Sequence, residues 1–148
     1  MIMNEDIFHL GIKAVIRNKD GEILLLKVNP AKLKGWDGEP YWDIPGGRIK
    51  RGDTIEETLT REVEEETGIT SIASFTPFML ALSPLRIPIK DSDVGLILSI
   101  YICEIDPREE IRLSKEHTEY MWTSLAKAAH LLSFKYPAEC TEKVRGLD

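Results

Sequence analysis

The segment from Gly46 to Ile69, GGRIKRGDTIEETLTREVEEETGI, decides the fold prediction for this chain. It runs from a Gly-Gly pair into a predicted helix, and Gly68 is a natural C-terminal stop for that helix. At ~100° per residue, Glu62 and Glu66 fall within about 20° of Ile55, on the apolar side of the helix. Two carboxylates therefore share the stripe that should face the core.

Those two carboxylates need a counter-charge. Like charges one helical turn apart repel by roughly 0.2–0.5 kcal/mol even in water, and burying them unpaired costs far more. Runs of glutamate on a helix are usually solvated surface, but here Glu57, Thr60 and Glu64 project from the opposite side and supply that surface. Because a cation at the apolar side would remove the conflict, the pattern indicates a metal site, with Glu65 beside it.

The spacing of this segment resembles the Nudix box of the Nudix hydrolases. The positions that carry the resemblance are Gly47, Asp53, Arg61, Glu62, Val63, Glu65, Glu66, Gly68 and Ile69. All of them match the family pattern except Asp53, where the family usually has Glu. The match covers residues 47–69 of the 148 in the chain.

The resemblance implies an α/β fold, a Nudix-type α/β/α sandwich with a mixed β-sheet, formed by residues 1–148 as a single domain. It also implies metal-dependent hydrolysis of the diphosphate linkage in a nucleoside diphosphate derivative. That substrate would be a nucleoside triphosphate, an ADP-ribose-like molecule or a nucleotide sugar. The cofactor would be Mg²⁺, with Mn²⁺ as an alternative, since both prefer carboxylate oxygens.

By the same resemblance, the metal ligands are the Gly46 carbonyl, Glu62, Glu65 and Glu66. Arg61 is expected to orient these glutamates or to brace the loop through residue 53. Asp53 is one methylene shorter than Glu, so its contact with Arg61 would lengthen or pass through water. The alternative is that Asp53 only caps the helix.

A catalytic base or further metal ligand is expected on the loop downstream of the box. Glu116 is the first candidate and Glu119 the second, while Glu62 is an alternative base. The competing interpretation is that both loop glutamates are simply solvated. His117 has the right chemistry for a base, although a lone loop histidine is more often a surface residue.

Substrate binding is indicated less directly. Trp36, Tyr41 and Trp42 precede the Gly-Gly pair and could stack on a base, although aromatic residues in such places pack in the core equally often. Arg86 and Lys90 could bind phosphate, or they could be solvated loop residues.

Composition limits the partners. A net charge of −6 argues against a nucleic-acid polymer and leaves a small-molecule nucleotide as the expected partner. The longest apolar run, near 94–103, is too short to span a membrane. Cys103 and Cys140 are expected to be buried thiols in a reducing, cytoplasmic compartment. A homodimer is left open.

The rest of the chain is predicted to alternate between strands and helices. Strands are expected at 8–17, 22–28, 71–80, 94–105 and 120–122, with short extended structure at 42–44. Helices are expected within the box, at 124–132 and from Pro137, and 83–93 is predicted to be a loop. The competing functional class is a non-catalytic Nudix-fold module that binds a nucleotide, but such modules should lack box glutamates that this chain retains.

Overall fold

The computed structural model describes residues 4–33, 38–105 and 109–147. The strands are β1 (Phe8–Arg17), β2 (Ile23–Val28), β3 (Trp42–Asp43), β4 (Gly46–Arg48), β5 (Ile72–Leu82), β6 (Ile87–Ile89), β7 (Ser92–Ile105) and β8 (His117–Thr123). The helices are α1 (Ile55–Thr67), α2 (Leu125–Leu132) and α3 (Ala138–Arg145), with one 3-10 turn at Pro30–Lys32.

The sheet is mixed, as predicted. Its main path runs β3-β2-β1-β7-β5, while β4 pairs with β1, β6 with β7 and β8 with β2. β1 and β7 are parallel along the whole of β1, and the other pairs are antiparallel. The short β4 places Gly46 opposite Lys13 of β1, so the Gly-Gly pair is fixed to the middle of the sheet.

Helices cover both faces of this sheet and create two cores. Alternate residues of β1 and β2 pack against α1, and those between them pack against α2 and α3. The α1 core contains Ile12, Ala14, Ile16, Leu24, Leu26, Leu59 and Val63. The opposite core contains Val15, Ile23, Leu25, Ala128, Ala129, Leu132, Cys140 and Val144. This arrangement confirms the predicted α/β/α sandwich.

The structure differs from the predicted elements in three places. The segment predicted as a loop at 83–93 contains β6, which forms a hairpin with β7. β8 begins at His117 rather than at residue 120, because it pairs with the full length of β2. Ile55 is the first residue of α1 and is 37 % exposed, so it does not belong to the buried stripe of that helix.

The start of α1 is capped by Thr54 and not by Asp53. Thr54 Oγ1 accepts a hydrogen bond from the amide of Glu57, and the Glu57 carboxylate accepts one from the amide of Thr54. This capping box satisfies two amides that the helix leaves unpaired. The Asp53 carboxylate is therefore available for another partner.

Two further predictions concern the whole chain. Cys103 and Cys140 are free and buried, as expected. In the parts of the chain that the structure describes, no helix is long and apolar enough to cross a membrane.

Candidate active site

A cleft of about 500 Å³ opens beside the Gly-Gly pair. Its lining combines carboxylates, cations and aromatic rings. The lining residues that matter for its chemistry are Lys13, Tyr41, Asp43, Gly46, Gly47, Arg86, Glu66, Glu116, His117, Phe134 and Lys135. The cleft therefore has polar groups suited to a charged ligand and rings suited to a flat one.

Glu66 is the buried carboxylate of this cleft, with 4 % of the residue exposed. Its Oε1 accepts a hydrogen bond of 2.9 Å from the amide of Gly46. Burial raises the pKa of Glu66 to about 8, although Lys13 and the Gly46 amide partly oppose that rise. A side chain at residue 46 is excluded, because its Cβ would lie 2.1 Å from the Ile12 carbonyl oxygen.

Glu62 lies one turn before Glu66 and packs directly against Gly47. A Cβ at Gly47 would lie 2.5 Å from the carboxyl carbon of Glu62, so the absence of a side chain is what admits this carboxylate. Burial, followed by the neighbouring charges of Glu65 and Glu116, raises the pKa of Glu62. The box helix and the downstream segment thus place their carboxylates in one electrostatic neighbourhood.

Glu116 and His117 join Glu66 in one cluster. One potential ligand atom from each of the three lies within 4.8 Å of the others. The pairing register of β8 with β2 shifts between Lys27 and Val28, and Val28 then pairs with His117. Such an irregularity redirects side chains at the end of a strand, which here brings the downstream segment to the box helix.

His117 is not the surface residue that a lone loop histidine suggests. Its Nδ1 is buried and has no hydrogen-bond partner among the described residues. Burial, together with the charge of Lys13, lowers the pKa of His117 to about 4, so the ring is neutral at physiological pH. Together with the nearby carboxylates of Glu66 and Glu116, this imidazole forms a set of ligands that fits a divalent cation.

Arg61 and Asp53 form a direct ion pair. Arg61 Nη1 lies 2.8 Å from Asp53 Oδ2, so the shorter side chain neither lengthens the contact nor requires water. Arg61 Nε lies 3.9 Å from Glu62 Oε1. The pair links the start of α1 to the carboxylate of Glu62, which is a bracing arrangement rather than a helix cap.

Two of the predicted glutamates lie elsewhere. Glu65 is exposed and is not part of the cluster with Glu66, although its charge acts on Glu62. Glu119 lies on β8 and forms an ion pair of 3.1 Å with Lys27 on the adjacent strand. That pairing favours Glu116 over Glu119 as the functional residue of the segment.

The predicted substrate-binding residues separate in the structure. Tyr41 lines the cleft, and its ring centroid lies 4.7 Å from that of Phe134. Trp42 instead packs against the core next to α2 and α3, with the ammonium of Lys27 over its ring. Trp36 lies outside the described residues.

Arg86 lines the cleft, but two carboxylates already bind its guanidinium. Asp6 accepts hydrogen bonds from both terminal nitrogens of Arg86, and Asp93 lies 2.8 Å from Nη2. Lys90 is exposed and does not line the cleft. Arg86 is therefore held by two carboxylates in the structure, a role that the sequence alone did not indicate.

Sequence reasoning missed a buried charged group in the cleft. Asp43 contacts the ammonium groups of Lys13 and Lys135 and the hydroxyl of Tyr136. The available signal was a lysine within the otherwise apolar strand β1. Because helices cover both sides of the sheet, Lys13 is buried and only 5 % exposed.

The contact between Gly47 and Glu62 predicts a selective defect. Gly47→Ala should displace the Glu62 carboxylate and lower turnover on the order of 10²-fold, since small misplacements of reacting groups have effects of that size. Gly146→Ala is the matched control, because a Cβ there meets nothing closer than 3.6 Å. Equal turnover of the two variants, measured with unchanged circular dichroism, would contradict the assignment.

The buried Glu66 carboxyl predicts a pH-dependent stability of the metal-free protein. The pKa of Glu66 in the folded protein is raised to about 8 from an ordinary value of 4.5, so the protonated carboxyl favours the folded state. This contribution to the free energy of unfolding is present at low pH and is lost as the pH rises through 8. Glu66→Gln keeps an acceptor for the Gly46 amide but carries no charge. In the presence of chelator, raising the pH from about 6 to about 9 should lower the melting temperature of this variant less than that of the wild type. Glu64→Gln, an exposed change on the same helix, should behave as the wild type does; three identical pH slopes would refute the prediction.

Comparison with known proteins agrees with this geometry. A family model described as the NUDIX domain matches residues 7–143. The bis(5'-nucleosyl)-tetraphosphatase (asymmetrical) of Mus musculus is 32 % identical over 130 residues, covering 87 % of this chain and 82 % of that protein. The crystal structure of the MutT protein from Methanosarcina mazei Go1 is 29 % identical, with a TM-score of 0.67, and covers 96 % of this chain and 94 % of that one. A C. elegans Ap4A hydrolase structure shares the fold at 22 % identity and a TM-score of 0.67, covering 93 % of each chain. The chain belongs to the Nudix hydrolase family.

Proposed function

We propose that the cleft hydrolyses a phosphoric anhydride bond of a nucleoside polyphosphate with a divalent cation, Mg²⁺ or Mn²⁺, held at the Glu66 cluster. The observation that carries this proposal is the buried Glu66 carboxylate, which meets Glu116 and neutral His117 within 4.8 Å. Pyrophosphohydrolase activity is the activity of the family to which the chain belongs. The retained Glu62, Glu66 and Arg61 argue against a non-catalytic nucleotide-binding module.

The residues of the cleft fit a hard divalent cation. Glu66 and Glu116 supply carboxylate oxygens, His117 supplies an unpaired nitrogen, and Glu62 adjoins them. The Gly46 carbonyl and Glu65 remain predicted metal ligands. In the structure, the amide of Gly46 binds Glu66 and the side chain of Glu65 is exposed. When bound, the cation would neutralise charge on the phosphate oxygens and lower the pKa of a water molecule.

The protein's own groups would then position and deprotonate the nucleophile. Glu116 is the proposed proton acceptor for the attacking water, because it shares the cleft with Glu66, whereas Glu119 is held in an ion pair with Lys27. Glu62 is the alternative acceptor. Arg61 does not line the cleft and would orient Glu62, since it lies near that carboxylate and is held by Asp53.

The substrate class follows from the lining of the cleft. A volume of about 500 Å³ suits a nucleotide, and the tilted pair of Tyr41 and Phe134 offers ring surface for a base. The name of the mouse relative makes dinucleoside tetraphosphates the first compounds to test, followed by nucleoside triphosphates, ADP-ribose and nucleotide sugars. The buried free thiols accord with the proposed cytoplasmic location.

A substrate panel tests the proposed function. Phosphate-containing products should appear from one or more of these compounds in Mg²⁺ or Mn²⁺ and disappear in chelator. Glu66→Gln should lower turnover by orders of magnitude while the fold is retained, because it removes a charged metal ligand. Turnover that is unchanged in chelator, or retained by Glu66→Gln in limiting metal, would overturn the metal-site assignment.

The identity of the base has its own test. Glu116→Gln should reduce turnover about 10²–10⁴-fold with little change in substrate affinity, since it removes the proton acceptor. Glu119→Gln is the matched control three residues away and should have much less effect, because Glu119 is paired with Lys27. Rate measured against pH should lose its acidic limb only in Glu116→Gln. Normal profiles for both variants would assign the role to Glu62.

A further inference from the structure

Asp43 lies in the cleft with every acceptor position used by the protein. Its Oδ2 accepts hydrogen bonds from Lys135 Nζ at 2.7 Å and Lys13 Nζ at 3.2 Å. Its Oδ1 accepts from the Tyr136 hydroxyl at 2.5 Å and from the Ile44 amide at 2.7 Å. Burial alone would raise the pKa of Asp43, but Lys13, Lys135 and the Tyr136 hydroxyl together lower it below its usual value, so the carboxylate is ionised.

The two lysines are not balanced by this one carboxylate. Asp43 is the hydrogen-bond acceptor of each ammonium group among the described residues, and each ammonium carries three N–H donors. The side chains of Lys13 and Lys135 are only 7 % and 13 % exposed. One carboxylate cannot accept from all the N–H donors of two lysines, so donors remain free in the cleft. Burial, with the charge of Lys135, lowers the pKa of Lys13 although Asp43 opposes that shift, which shows that this pair of lysines is not fully compensated.

This paired-lysine group adjoins the carboxylate cluster. Lys13 is the β1 partner of Gly46, whose amide binds Glu66, and the charges of Lys13 and Glu66 act on each other. Both lysines line the same cleft as Glu66 and Glu116, so a ligand bound in that cleft meets them.

We propose that Lys13 and Lys135 form an anion site that takes a phosphoryl group of the substrate's phosphate chain, and that Asp43 is the positioning residue that fixes both ammoniums. The inference rests on the proposed function, since it assumes that the ligand of the cleft carries phosphates. Arg86 is a weaker choice for this role because Asp6 and Asp93 already bind its guanidinium. The two lysines share a single carboxylate, whereas Arg86 is held by two, so the lysines keep N–H donors for an oxyanion.

Binding of inorganic tripolyphosphate in the presence of chelator tests the site apart from catalysis. Calorimetric titration of the full chain should show binding to the wild type. Lys135→Met, which keeps the side-chain stem and removes the charge, should weaken that binding roughly tenfold or more, as expected for loss of a charged hydrogen bond. Lys135→Arg should restore most of it. Lys127→Met, an exposed change on α2, is the control and should bind as the wild type does.

Several results would overturn the proposal. They are no binding by the wild type, equal binding by Lys135→Met, or a loss at Lys135→Met that Lys135→Arg does not restore. Melting temperatures of all variants separate a binding defect from misfolding. Lys13→Met removes the ammonium group of the other lysine and gives a second test of the same site. Because no metal or hydrolysis is involved, the site can fail this test while the proposed function survives. A negative substrate panel likewise leaves the titration interpretable.

Discussion

The hydrogen bond from the Gly46 amide to the buried Glu66 carboxylate is the contact on which the rest of the site depends. It joins the last turn of α1 to the short strand β4, which is itself paired with the middle of β1. A carboxylate in that position is costly in an apolar surrounding, and burial raises its pKa accordingly. The destabilising burial of this carboxylate occurs where the side chains of Glu116 and His117 also lie.

Around that contact, the site separates two kinds of charge. Carboxylates from α1 and from the segment before β8 meet beside Gly46, and Lys13 and Lys135 bind Asp43 in the same cleft. Both kinds of charge suit a nucleotide ligand. Its phosphates bind cations, and a metal ion that binds those phosphates is itself held by carboxylates. The arrangement thus couples a metal-binding cluster to a protein-derived cationic group within one cleft.

Much of the fold could be predicted from sequence because it depends on local patterns. The box helix has a capping residue, an apolar stripe and a terminal glycine, and each acts within a few residues. The role of residue 53 could not be predicted from sequence, because whether an aspartate can reach Arg61 depends on which residue caps the helix. The capping box at Thr54 and Glu57 leaves Asp53 to form the 2.8 Å pair.

The parts that were not predicted depend on long-range packing. Lys13 lies buried next to Asp43, 30 residues away in sequence, and no local pattern indicates that contact. The choice between Glu116 and Glu119 depends on the register shift of β8 on β2, which no local pattern encodes. Trp42, adjacent to Tyr41 in sequence, packs against the core while Tyr41 lines the cleft, because β3 begins at Trp42 and pairs it with Lys27 of β2.

The central claim is that Glu66 anchors a cation in this cleft, and anomalous diffraction from crystals grown with Mn²⁺ tests it most directly. The account predicts an anomalous peak about 2.0–2.3 Å from a Glu66 carboxylate oxygen, within the range usual for hard divalent ions, with Glu116 also turned toward it. A peak confined to other residues, with Glu66 still bound only to the Gly46 amide, would contradict it.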